Sequence, residues 1–265
     1  MNVVMKWQTE VKKIPKLNNL VLVEGLPGVG NVGKICAEYL IDKLKAKKLA
    51  ELACEHFPYH VFINQDDVVE LPKNELYYHK STKKGAPDVL ILTGDVQSMN
   101  PTGHYETVEA TLDFISENYD IKAIYTIGGF GGKTLPKTPK VIGAVSSKEL
   151  IKKYEKYGVK FEQGKRVGMI IGASGLFIGL GKLRGIPGMC LMGETINKPM
   201  FADTKSAQEV LKILTKIIGV KIDMRDLESE SKKMEDAISK AKEIEKRMID
   251  KLRQSVPSEE LRYIG

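Results

Sequence analysis

The chain has 265 residues, 42% of them hydrophobic and 28% charged, and a formal net charge of +7 at pH 7. That length supports one large domain or two small ones, and the composition excludes a disordered chain. No window approaches the roughly 18 uninterrupted apolar residues of a membrane helix.

The N-terminal MNVVMKWQTEVKK has neither an apolar signal core nor a cleavage site, so the expected location is cytoplasmic. Asn19–Glu24 reads as a short buried strand, followed by a glycine turn and a helix over about Gly30–Lys45. Strand-like pieces at Leu52–Glu55, Val61–Asn64 and Glu75–His79 are separated by Pro58, Asp66–Asp67 and Pro72, the pattern of a meander or hairpin region. Strand Asp88–Thr93, helix Gly103–Asn118 and strand Ala123–Gly128 come next. Strand Val141–Ser146 leads into helix Ser147–Tyr157, strand Val167–Ile171 into helix Ser174–Gly181, and Met189–Met192 is the last strand. This alternation predicts an α/β fold, a mostly parallel (mixed) sheet flanked by helices.

After Lys205 the character changes. Ala207–Ile218 is one amphipathic helix, and Asp223–Gln254 reads as a second, long and highly charged one. Its small or apolar residues Leu227, Met234, Ala237, Ala241, Ile244 and Met248 mostly recur at three- and four-residue steps. Two readings stay open, a helix packed along the domain edge and a projecting or self-associating one. The expected organisation is a core over 1–220, a long C-terminal helix over 221–254 and a flexible tail over 255–265.

Three cysteines (Cys36, Cys54, Cys190) lie far apart in mostly apolar surroundings and read as core residues rather than disulfide partners. The lysines are interleaved with acids, as in IDKLKAKKLAEL and SKKMEDAISKAKEIEKRMIDK, which is the pattern of solvated helix faces. Without a recognition-helix, zinc or RNA-stacking signature, nucleic acid is not an expected partner.

The segment Gly25-Leu-Pro-Gly-Val-Gly-Asn-Val-Gly-Lys34 sits where phosphate loops sit, after a strand and before a helix. From Gly28 it matches G-x-x-x-x-G-K, but Ile35 stands where a Ser or Thr would coordinate Mg²⁺, so a working NTPase is not expected. Gly28, Gly30 and Gly33 also match G-x-G-x-x-G, although Glu55 on a proline-broken run is a poor ribose-binding acid. Tight strand-to-helix packing is the favoured reading. Anion binding at the helix start by Gly28, Gly30, Asn31 and Gly33 is the alternative.

Glu24, Asp95 and Glu194 follow strand ends and would gather there as acid–base groups, or else satisfy loop amides and helix starts. Asp95 and Glu194 are the candidates for a ligand crevice shared with the glycine loop. Cys54, His56 and His60 straddle Pro58 without further ligands, so no metal site is expected. His104 reads as a capping or loop residue. Ser174, in Gly-Ala-Ser-Gly, only loosely resembles a nucleophile elbow and is expected to cap a helix.

Four segments together, GLPGVGNVGK (Gly25–Lys34), LTGDVQS (Leu92–Ser98), TIGGFG (Thr126–Gly131) and ASGLFIGLGKLRGIPGMCLMGET (Ala173–Thr195), resemble the proteasome assembly chaperone family in its archaeal form. The resemblance implies a phosphorylase-like α/β core without a catalytic site or cofactor. It also implies a homo-oligomer that binds the proteasome core particle, its α subunits or a related chaperone subunit. Members that dock on assembled proteasomes carry a hydrophobic–tyrosine–any-residue tail. The corresponding partner-binding residues here are Leu261, Tyr263, Ile264 and Gly265, but Tyr263 is third from the end and follows Arg262, a shift of one position. The competing expectation is an enzyme or sensor that binds a phosphate- or nucleoside-type ligand in the strand-end crevice.

Overall fold

Leu20–Glu24 is a strand with every residue buried, because its leucines and valines alternate between two covered faces. Around it the structure, a computed structural model, describes residues 5–83, 85–132, 134–162, 168–196 and 202–233. The strands are β1 (Gln8–Thr9), β2 (Leu20–Glu24), β3 (Lys47–Leu52), β4 (Phe62–Ile63), β5 (Val69–Glu70), β6 (Asn74–His79), β7 (Val89–Gly94), β8 (Ile121–Gly132), β9 (Val141–Val145) and β10 (Gly188–Ile196). The helices are α1 (Val32–Leu44), α2 (Pro101–Asn118), α3 (Glu149–Glu155), α4 (Ala173–Leu183) and α5 (Thr204–Ile218).

Among the described residues eight strands form one sheet in the order β1-β3-β6-β7-β2-β8-β10-β9, and β4 and β5 form a separate hairpin. The sheet is mixed. Its parallel part is the central block β7-β2-β8-β10, and the pairings outside that block are antiparallel. Helices α1 and α5 pack together on one face, and α2 and α4 on the other. On the second face Leu20, Leu22, Leu90 and Leu92 meet Val108 and Leu112 of α2 and Phe177 of α4. Burying each such side chain contributes roughly 1.5–3 kcal/mol, so this layer is a main source of cohesion.

Several boundaries differ from the sequence expectation. The strand placed at Leu52–Glu55 lies earlier, at Lys47–Leu52, because Lys45 takes a left-handed conformation (φ 51°) that ends α1. Half of IDKLKAKKLAEL is therefore strand rather than a solvated helix face. The apolar run at 168–171 forms no strand; Met169 and Ile171 are exposed. Strands β8 and β10 extend beyond the stretches expected for them, and β1 was not visible in the pattern.

Helix α2 starts as its sequence dictates: the Asn100 side chain accepts from the Gly103 amide at 2.8 Å, and Pro101 takes the first helical position. The chain divides into two units after Asp223. Of the second unit the structure describes 224–233, with helix over 225–233. The rest of the segment expected as a long helix over 221–254, and the tail residues Leu261, Tyr263, Ile264 and Gly265, lie outside the described residues. No helix among the described residues is long and apolar enough to cross a membrane.

Candidate functional site

The carboxyl ends of β2, β8 and β10 open onto a cavity of about 290 Å³, lined among others by Leu26, Gly28, Gln97, Gly128, Met169 and Ser174. This is the place where parallel α/β sheets hold ligands. The glycine loop forms one wall, but its glycines serve contact between backbone segments. A Cβ at Gly25 would stand 2.2 Å from the Gly33 carbonyl oxygen, and one at Gly129 would stand 2.1 Å from that of Val29. Gly30 takes φ +63° with its Cα against Thr195, and its carbonyl accepts from the Asp203 amide at 2.8 Å. Gly33 is pressed against the Ile127 carbonyl. Asn31 is left-handed (φ 53°) and makes no side-chain cap. The loop thus locks α1 onto β8 and β10.

Lys34 ends the phosphate-loop-like sequence, yet its ammonium donates to the Gly94 carbonyl at 3.0 Å and pairs with Asp95 and Glu38. Asp95 also accepts from the Lys73 amide at 3.2 Å. Among the described residues lining the cavity none is basic. A phosphate placed there would meet no cation among them, and the loop's own Lys34 is engaged elsewhere.

The three strand-end acids do not converge. Glu24 lies opposite Thr126, which in turn lies opposite Cys190, so Glu194 is four residues further along β10. Four residues of strand span about 13 Å. Glu194 accepts from the Lys140 amide at 3.3 Å, at the other edge of the block. All three acids satisfy loop amides, the plainer of the two expectations.

Glu24 nonetheless stands out. It follows Leu20 and Leu22 on the α2–α4 face and is fully buried. One carboxyl oxygen accepts from the Leu26 amide at 3.1 Å, and the other, Oε2, has no partner among the described residues. Burial lifts its pKa to about 7, and the Leu26 amide, with the polar groups of Ser174 and Ile127 nearby, only partly opposes the rise. Near neutral pH a large share of this carboxyl is therefore an uncharged acid. Ser174, the second residue of α4, does not cap the helix; its hydroxyl donates to the Ile127 carbonyl at 3.4 Å.

Gln97 completes the wall. Its Nε2 donates to the Pro27 carbonyl at 2.6 Å and its Oε1 accepts from the Ala173 amide at 3.0 Å, so one side chain joins the loop to the start of α4. Sequence reasoning did not single out Gln97. The only signal was its place in a family-like segment just after a strand. The buried Glu24 had a clearer one, an acid continuing the inward parity of an otherwise apolar strand.

His56 and His60 are occupied locally. His56 Nε2 lies 2.6 Å from Glu106 Oε2, and His60 packs edge-on against Phe62. Among the described residues no group of three or more His, Cys, Asp or Glu is arranged to hold a metal. The Cys190 thiol is buried and pushed up to about 12, which removes it as a nucleophile. The site therefore has a buried acid of raised pKa and a hydroxyl, with no assembled nucleophile–base pair among the described residues.

Comparison with known proteins gives a consistent result. The family model described as the PAC2 family matches residues 22–242. An uncharacterized protein of Methanocaldococcus jannaschii is 38% identical over 257 residues, spanning 97% of this chain and 96% of that protein. The crystal structure of Pyrococcus furiosus PbaB, described as an archaeal proteasome activator, superposes with a TM-score of 0.83 at 39% identity, over 90% of this chain and 100% of that one. Pyrococcus furiosus PbaA, described as an archaeal homolog of proteasome-assembly chaperone, superposes with a TM-score of 0.71 at 23% identity, over 94% and 98% of the two chains, a likeness of fold.

Proposed function

The chain belongs to the PAC2 family, and from that membership we propose that it is a non-enzymatic chaperone or adaptor of proteasome assembly. In this reading it acts in the cytoplasm as a homo-oligomer and binds the proteasome core particle, its α subunits or a partner chaperone. The observation that carries the reading is the match to PbaB along the whole of that chain. The glycine loop agrees with it, since loop glycines, Lys34 and Asp95 are engaged in holding the fold. The C-terminal residues Leu261, Tyr263, Ile264 and Gly265 are proposed as partner contacts.

Co-sedimentation with core particle and with isolated α subunits tests the proposal, comparing the full chain with one ended at Gln254. Binding by the full chain supports it, and loss on truncation assigns the contact to the last segment. Absence of binding to every proteasome species, at low and physiological salt, overturns it.

A further inference from the structure

The two faces of the hairpin β4–β5 differ: one is wholly aliphatic, and the other mixes polar and apolar side chains. Its register pairs Ile63 with Val69 and Phe62 with Glu70; carried one step further, it sets Val61 opposite Leu71. Strand alternation then places Val61, Ile63, Val69 and Leu71 on one face. The other face is mixed: His60 packs on Phe62 and Asn64 Nδ2 donates to Glu70 at 2.8 Å, beside a half-exposed Phe62 and Val68. The aliphatic face is uncovered, with Ile63 70%, Val69 63% and Leu71 62% exposed. Tyr59, at the root, is 96% exposed.

A ladder of two residues per strand is marginal in water without a surface to pack on. A contiguous aliphatic face of this kind on a soluble protein marks a contact site. Beside the root is a notch of about 530 Å³, lined by Cys54, Phe57, Val61, Leu71 and Pro72 among others. Knob and notch therefore lie at opposite ends of one short arm.

We propose that this face binds the same face of a second copy of the chain. Two hairpins laid antiparallel about a two-fold axis bring the tip of each, Ile63 and Val69, to the notch at the root of the other. An uncharged aliphatic face is complementary to itself, which is what an isologous contact requires. With the exposed fractions of Tyr59, Val61, Ile63, Val69 and Leu71, complete cover of these side chains would bury on the order of 600 Å² per copy, so two copies can reach the roughly 1,200 Å² at the lower end of stable interfaces. The inference rests on the oligomer part of the function proposed above and is independent of its proteasome part.

Native mass spectrometry of the full chain, beside the variant Ile63→Lys with Val69→Glu, tests it. The opposite charges face each other across the ladder and keep the hairpin paired. The expected result is an oligomer whose mass falls at least twofold in the variant. As a readout that leaves the face apolar, a photo-reactive aliphatic residue at position 63, in a mixture of isotopically light and heavy chains, is expected to cross-link to residues 53–72 of another copy. A monomeric parent, an unchanged mass in the variant, or cross-links to another segment overturns the proposal. So do cross-links that form only with added core particle. Core-particle binding, measured separately, reports on the proteasome reading alone.

Discussion

The ammonium of Lys34 lies 3.8 Å from the Asp95 carboxylate while donating to the Gly94 carbonyl, so the lysine of the glycine loop is tied to the neighbouring strand end. Both side chains are partly exposed, 25% and 34%, which limits the pair to about 1 kcal/mol. Lys34→Met is expected to lower stability by about that amount. Neither parent nor variant should gain thermal stability from Mg-ATP or Mg-GTP. A nucleotide-dependent melting shift in the parent, abolished by the substitution, would show that Lys34 leaves Asp95 to meet a phosphate.

The glycines of the loop separate packing from ligand access. Gly25→Ala drives a methyl into the Gly33 carbonyl and the Ala37 side chain, and is expected to destabilise by about 3 kcal/mol. Gly128→Ala meets nothing within 4 Å and should change stability by less than about 1 kcal/mol. Urea denaturation of the two variants checks the contrast. Equal effects would contradict it.

Glu24 gives the fold a pH dependence of definite sign. Its carboxyl titrates at about 7 in the folded chain against 4.5 as the ordinary value, so folding favours the protonated form. Its relative stabilisation is full below 4.5, declines as the pH rises to about 7, and is constant above that. Glu24→Gln keeps an acceptor for the Leu26 amide and removes the titration. Its stability relative to the parent should grow by on the order of 3 kcal/mol between pH 4 and pH 8. Denaturation curves across that range test this; a constant difference would show that folding leaves the Glu24 pKa at its ordinary value.

Asp203 secures the far side of the loop. Buried, it accepts from the Thr195 hydroxyl at 2.6 Å and caps α5 through the Ser206 amide at 2.9 Å. Asp203→Ala removes both bonds and is expected to lower stability by about 2–3 kcal/mol. Asp203→Asn retains the cap and should lose less. Thermal melts of the pair distinguish the cap from a general effect of altering a buried site.

The central strands were legible because their signal is local. The apolar runs at β2, β7, β8 and β10 are buried on both faces, and such runs identify inner parallel strands within a few residues. The same reasoning failed at 168–171, where Met169 and Ile171 of an apolar run are exposed, and at Lys45, where a lysine takes the helix-ending conformation usually signalled by glycine. The hairpin was visible as a meander, while the division of its faces needed the pairing register of Ile63 with Val69.

The sequence by itself determined the α/β class, the family resemblance and the incompleteness of the phosphate motif at Ile35, since each is written in the order of neighbouring residues. Only the tertiary structure decided what the motif residues do. It paired Lys34 with Asp95, separated Glu194 from Glu24, and enclosed Glu24 against Ser174. Those outcomes follow from sheet order and from which distant segments exclude water, and charge, partner and proton affinity are set by that enclosure rather than by sequence neighbours.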